Sequence, residues 1–184
     1  EELLTHFNFT GLHLICVFFG GGGNGSTSSI PYAKQVIKNN PKLDIIFIAG
    51  KNERSKKIID DYIFDNGFSN VRTVGFATNV PELLSLADFV ISKPGGVQST
   101  ECLYFKKGIL MINPSGGQEI ANYKYFEEMG YGKFFHTPWG LSNYVKKVIN
   151  NPEIINEMHS KMLENHSEDA MQKLYDLTIN LLKR

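Results

Sequence analysis

Apolar residues in this chain come in short blocks, separated by longer stretches whose hydrophobic positions recur every three or four residues. The block at 12–19 (Leu-His-Leu-Ile-Cys-Val-Phe-Phe) reads as a strand buried on both faces. Blocks at 43–49, 71–74, 89–91 and 109–112 predict four further strands, and 133–135 a short sixth. Between them, helical spacing spans 30–39, with Pro31 suited to a first turn, and 51–66, with Ile58, Ile59 and Ile63 on one side. It continues over 81–86, 97–105 and 118–129, the last closed by Gly130 at a C′ position. Amphipathic helices over 141–150, 152–165 and 168–182 finish the chain, which enters its first strand almost at once.

Strands alternating with helices of this length specify an α/β fold, a Rossmann-like doubly wound parallel sheet of about six strands. A single domain is expected over 1–184, with its core in 12–150 and helices in 151–184. Ligands of such sheets bind beyond the carboxyl ends of the strands. Loops 20–25, 75–79, 92–96 and 113–117 each follow a strand, so they should line one rim.

The chemistry-bearing residues sit in those loops. After the fourth strand, Ser92-Lys93-Pro94-Gly95-Gly96 turns the chain sharply into a helix, with Val97, Thr100, Glu101 and Tyr104 along one side. Glycines there let backbone amides approach a ligand closely. A helix start adds unpaired N–H groups and a positive dipole end, which suit a diphosphate. Glu101, a turn further on, would accept from a sugar or ribose diol. Ser26, Thr27 and Ser28, after Gly20-Gly21-Gly22-Gly23-Asn24-Gly25, are N-cap candidates for the first helix. The spacing Gly20, Gly22, Gly25 matches a dinucleotide fingerprint, but such a site wants an acid ending the second strand. That strand ends Ala49-Gly50-Lys51-Asn52; Glu53 comes late and Asp44 lies at the wrong end. Gln118 and Glu119, with Asn122, follow a further glycine pair; an amide and a carboxylate together can grip sugar hydroxyls, or merely cap their helix.

Composition narrows the field. Lys+Arg and Asp+Glu are both 19, giving a formal charge of zero and no basic excess for nucleic acid. Cys16 and Cys102 are expected as buried thiols of a reducing compartment. No apolar run approaches the roughly 20 residues of a membrane span, and no signal peptide is visible. The chain opens on Glu1 rather than Met, which reads as a piece of something longer. His6, His13, His136, His159 and His166 show no metal spacing. Late aromatics, Tyr123 to Trp139, are expected to pack, with an exposed docking patch as the other reading.

The combination Ala87-Asp88-x-x-Ile91-Ser92-Lys93-Pro94-Gly95-Gly96-x-x-x-x-Glu101, with Gly117-Gln118-Glu119-x-x-Asn122, resembles a known family. It is similar to the C-terminal, donor-binding half of GT-B glycosyltransferases of family 28, over roughly residues 12–150. The likeness points to the processive diacylglycerol glucosyltransferases and monogalactosyldiacylglycerol synthases. It implies that Gly22, Gly23 and Asn24 face the donor phosphates across an interdomain cleft. Phe76, Ala77 and Val80 would surround the uracil ring. Gly95, Gly96, Val97 and Gln98 would meet the diphosphate, Glu101 the ribose, and Gln118 and Glu119 the donor sugar, with Asn122 supporting that loop and Lys93 also among the substrate-binding residues. Two departures stand out: Gln98 replaces the commoner Ser or Thr, and 102–107 is poor in alanine.

The resemblance implies inverting hexosyl transfer from a UDP-sugar to diacylglycerol or a similar membrane lipid, with no metal or other cofactor. Its partners would be the donor, a lipid acceptor, and an N-terminal acceptor domain carrying the general base. The chain alone would bind donor and transfer nothing. A cytoplasmic location is expected, peripheral at the inner face of the cell membrane. Two other readings stay open: a non-catalytic donor-binding subunit, and a UDP-N-acetylglucosamine 2-epimerase-like enzyme. An epimerase would need a catalytic His near the rim loops.

Overall fold

Side chains of successive strand residues divide between two cores, one on each face of a single sheet. The strands are β1 (Leu14–Phe19), β2 (Leu43–Ile48), β3 (Val71–Val74), β4 (Phe89–Ser92), β5 (Gly108–Ile112) and β6 (Gly132–Phe135). The helices are α1 (Glu2–Phe7), α2 (Ile30–Asn39), α3 (Glu53–Asn66), α4 (Val80–Leu86), α5 (Gly96–Tyr104), α6 (Gly117–Met129), α7 (Pro138–Asn150) and α8 (Glu153–Asn165). This computed structural model describes residues 2–21, 26–165 and 179–180. The helix expected over 168–182 therefore lies almost wholly outside the described residues.

Every strand pairing is parallel, and the order is β3-β2-β1-β4-β5-β6. The chain winds outward from β1 in one direction through β2 and β3, then returns to β1's other side for β4, β5 and β6. The expected six-stranded parallel α/β fold is thus present. Cys16, Phe18, Ile45, Phe47, Phe89, Ile91, Leu110 and Ile112 face a core shared with α2, α3, α7 and α8. Ile15, Val17, Ile46, Val90, Ile109 and Met111 face the other core, covered by α4, α5 and α6. A sheet covered on both faces explains why its central strands, such as β1 and β5, read as unbroken apolar runs.

Three local expectations need correction. The chain does not run directly into β1. The segment Glu2–Phe7 is helical, and Phe7 and Phe9 behind it are 7 % and 8 % exposed against the α4–α6 core. Six residues are too few to display a helical period, so the sequence pattern misses it. Leu12 and His13 precede β1 rather than opening it, and Leu12 is 85 % exposed. The N-cap of α2 is Ser29, not Ser26, Thr27 or Ser28, and it makes no side-chain cap bond. Its hydroxyl donates instead to the Gly20 carbonyl, tying the start of α2 to the end of β1.

Other expectations hold. Gly130 closes α6 in the left-handed region, at φ 70°. Both cysteines are buried free thiols, and burial pushes each well above the ordinary thiol range. The late aromatics mostly pack: Phe126 and Tyr131 are buried, and Tyr123 stacks on Phe134 at 4.3 Å between centroids. Trp139, at 69 % exposure on the first turn of α7, and Tyr125, at 48 %, depart from this. Among the described residues no helix is long and apolar enough to cross a membrane.

Candidate functional site

The direction of winding reverses between β1 and β4, and a doubly wound sheet opens a crevice at that point, beyond the strand ends. A cavity of about 340 Å³ lies there. It is lined by Phe19 at the end of β1 and Gly21 after it, and by Ile48 at the end of β2 and Gly50 after it. Phe76, Ala77 and Val80 from the segment after β3, Ser92, Lys93, Gly95 and Gln98 from the turn after β4, and Glu119 of α6 complete the lining. Gly21 and the loops 75–79 and 92–96 thus meet at one rim, with Glu119 from the first turn of α6.

Close packing explains the first glycine. A Cβ on Gly20 would stand 2.4 Å from Cζ of Phe47, a fully buried ring, so β1 can leave the sheet here only without a side chain. Gly21 takes φ +107°, a region open to glycine and few others. Gly22, Gly23 and Asn24, the residues expected opposite the donor phosphates, lie outside the described residues.

The turn after β4 presents backbone rather than side chain. Gly95 is the N-cap of α5, at φ −69° and ψ 152°, with no side-chain cap. Its carbonyl accepts from Ser99 N at 2.9 Å, and its own N–H goes to Lys93 O at 2.8 Å. Among the described residues, no hydrogen bond occupies the amides of Gly96, Val97 and Gln98. Three free amides at a positive helix end form an anion site in the making. Neither glycine needs a positive φ, so what matters at both is the missing Cβ. Gln98 lines the cavity; Val97, 66 % exposed, does not.

Lys93 brings a cation to the cavity wall, where its Nζ donates to Ser115 Oγ at 2.9 Å. Lys51 stands nearby, its Nζ 5.3 Å from the centroid of Phe76, a ring 65 % exposed at the cavity. Asn122, on α6, donates its side-chain amide to Pro94 O at 2.8 Å and so holds the 92–96 turn from behind. Glu119 reaches the cavity, but one of its oxygens also accepts from Ser115 N, so the capping reading and the cavity-facing one are both present in the same side chain. Gln118 is exposed, with Nε2 3.6 Å from where a Cβ on Gly96 would lie. Glu101 is half-buried one turn into α5 and is not on the cavity wall; burial raises its carboxyl above the ordinary range.

Sequence reasoning missed Lys51, Ser115 and Asn113. Asn113 adopts φ +45° and donates from Nδ2 to Ser28 O at 2.8 Å. The Asn-Pro step after β5 marks a turn, yet its partner is 85 residues away in the chain. None of the described histidines lines the cavity.

A profile describing the glycosyltransferase family 28 C-terminal domain matches residues 15–174. The chain belongs to that family. It is 27 % identical over 167 residues to a processive diacylglycerol beta-glucosyltransferase of Staphylococcus epidermidis, covering 90 % of this chain and 42 % of that protein. The Staphylococcus saprophyticus protein of the same name is 29 % identical over 149 residues, covering 81 % of this chain and 38 % of the relative. The chain therefore spans about two fifths of the curated relatives it matches. Among solved structures, MurG of Acinetobacter baumannii superposes with a TM-score of 0.73 at 19 % identity, over 94 % of this chain and 51 % of that one. Anabaena HepE in complex with UDP gives 0.72 at 15 % identity, over 100 % and 52 %. These likenesses establish the GT-B glycosyltransferase fold, and the motif resemblance holds at the level of family and fold.

Proposed function

We propose that this family 28 domain is the donor-binding half of an inverting glycosyltransferase that moves a hexose from a UDP-sugar to diacylglycerol or a similar membrane lipid. The observation that carries the reading is the uncapped start of α5, opening beside Lys93 onto a cavity where the sheet reverses its winding. The UDP complex of a protein sharing the fold, and the lipid-acting relatives, support it.

In this reading the diphosphate lies on the amides of Gly96, Val97 and Gln98, with Lys93 beside it. These preorganised dipoles and one cation stabilise the negative charge that grows as the sugar–phosphate bond breaks. Phe76, Ala77 and Val80 enclose the uracil, Glu101 accepts from the ribose, and Gln118 and Glu119 read the sugar. The 22–24 glycine segment approaches the phosphates from the opposite side. An acceptor hydroxyl attacks the anomeric carbon from the face opposite the departing diphosphate. Its proton goes to a general base on a separate N-terminal acceptor half, and neither metal nor other cofactor takes part. The full protein would work at the inner face of the cell membrane, and this chain alone would bind donor without transferring sugar.

Calorimetric titration tests the assignment, using UDP, its glucose, galactose and N-acetylglucosamine conjugates, and adenosine and nicotinamide nucleotides. UDP and at least one conjugate should bind, and the adenosine and nicotinamide compounds should not. Tight nicotinamide binding with no uridine response would overturn it.

A further inference from the structure

Side chains tie the rim loops to one another, and one of these ties anchors the loop whose Ser115 meets both Lys93 and Glu119 of the proposed donor site. Asn113 follows β5 directly and sits in the left-handed region at φ +45°. That conformation is uncommon outside glycine, although Asn tolerates it better than most. Pro114 restricts the residue before it still further. The local chain therefore gives Asn113 little reason to adopt this shape.

A long-range contact supplies the reason. The Asn113 side-chain amide donates to the backbone carbonyl of Ser28, on the segment leading from the glycine loop into α2. Two residues beyond Asn113, Ser115 receives the Lys93 ammonium on its hydroxyl and gives its N–H to Glu119. Wherever Asn113 holds the start of 113–117, Ser115 and Glu119 must follow. Asn122 fixes the other end of the same assembly to Pro94.

We propose that Asn113 is a positioning residue that locks the sugar-reading end of the donor site to its phosphate end, and so governs selection among donor sugars more than affinity for the nucleotide. The inference rests on the UDP-sugar reading above. Only Asn meets both demands at this place. Gly would accept the backbone but has no amide to donate; Asp would accept the backbone but offers a carboxylate to a carbonyl.

The test uses the 184-residue chain and its Asn113→Gly, Asn113→Asp and Ser28→Ala variants, each first checked for an unchanged thermal melt. Calorimetry gives, for each protein, the ratio of affinity for the preferred UDP-sugar to affinity for UDP. Asn113→Gly should bind UDP within about twofold of wild type, while the ratio falls about fivefold, the equilibrium equivalent of one ordinary hydrogen bond. Asn113→Asp should lose a similar share of the ratio, because any repulsion of the diphosphate cancels within it. Ser28→Ala should keep the wild-type ratio, since the acceptor is a backbone carbonyl. An unchanged ratio in both Asn113 variants overturns the proposal, as does a parallel loss of UDP and UDP-sugar affinity in Asn113→Gly. A wild-type chain that binds UDP without favouring any conjugate overturns it too and leaves the donor-site reading standing. A chain that binds no UDP removes both.

Discussion

Replacing Gly96 with Ala separates what the protein needs at the start of α5 from what the donor needs. Gly96 is the first residue of α5, and its φ is not positive, so an L-residue adopts the same backbone. The added Cβ would meet only Gln118 Nε2, at 3.6 Å, which is ordinary van der Waals contact. Inside the protein the substitution is therefore sterically free, and exchanging Gly for Ala within a helix gains up to about 1 kcal/mol. The methyl group occupies the gap between the uncapped amides and Gln118, where a diphosphate accepting hydrogen bonds at about 2.9 Å would lie. Crowding a fitted contact by one methyl costs about 1–3 kcal/mol, a loss of roughly 5- to 150-fold in UDP affinity. The assay is a urea melt for stability beside calorimetry with UDP. A variant at least as stable as wild type but much weaker for UDP is expected. Wild-type UDP affinity in a stable Gly96→Ala protein would refute the placement of the diphosphate at this helix end.

Three further substitutions probe the acid on α5 and the sheet edge. Glu101→Ala should lower UDP affinity by about 1–3 kcal/mol, the scale of a hydrogen bond to a charged group; unchanged calorimetry would remove Glu101 from the site. Burial raises the Glu101 pKa, so the folded state holds this proton more tightly than the unfolded chain. Its contribution is present in full below the ordinary carboxylate range and is lost as pH rises through the raised value. Denaturant melts should therefore show Glu101→Gln gaining on wild type across that window and holding a constant lead above it; a lead that shrinks as pH rises would reverse the sign. Gly132→Ala would bring a Cβ within 2.3 Å of the Ile109 carbonyl oxygen in the neighbouring strand. Edge strand β6 must then shift, at a cost of about 1–3 kcal/mol by urea melt; an unaltered midpoint would mean the edge yields freely.

How much of this was legible depended on whether a feature is local. The central strands stand out because they are buried on both faces, so no polar position interrupts a run such as Leu14–Phe19. Helix ends with a local cause were also readable, as with Gly130. Ser29 was not, because its hydroxyl answers to Gly20, nine residues earlier, rather than to its own helix. At the site, residues whose value is a backbone amide or a missing Cβ announced themselves through glycine spacing. Asn113 and Lys51 did not, since each acquires its neighbour only when the sheet brings two loops together. Glu119 shows the remaining ambiguity: a carboxylate on the third residue of a helix reads equally well as a cap and as a ligand contact, and here it reaches toward both.

The distribution of helix caps reinforces the placement of the site. All helices that follow strands start at the same rim, so the winding alone does not single out the ones used for binding. Helices α3 and α7 are closed by side chains, Asn52 accepting from Ser55 N and Thr137 from Gly140 N. Neither contributes a first-turn residue to the cavity wall. Helices α4, α5 and α6 have no side-chain cap, and each does place a residue of its first turn on that wall: Val80, Gln98 and Glu119. A missing cap costs a helix roughly 0.5–2 kcal/mol. Three helices forgo that stabilisation where their ends meet one cavity; α3 and α7 retain it, and α2, also without a side-chain cap, has the Ser29 hydroxyl tied to the Gly20 carbonyl instead. The amides left open there are then the part of the fold held available for an anion, and the register that pairs Phe18 with Ile91, and Ser92 with Met111, sets the strand ends from which they rise side by side.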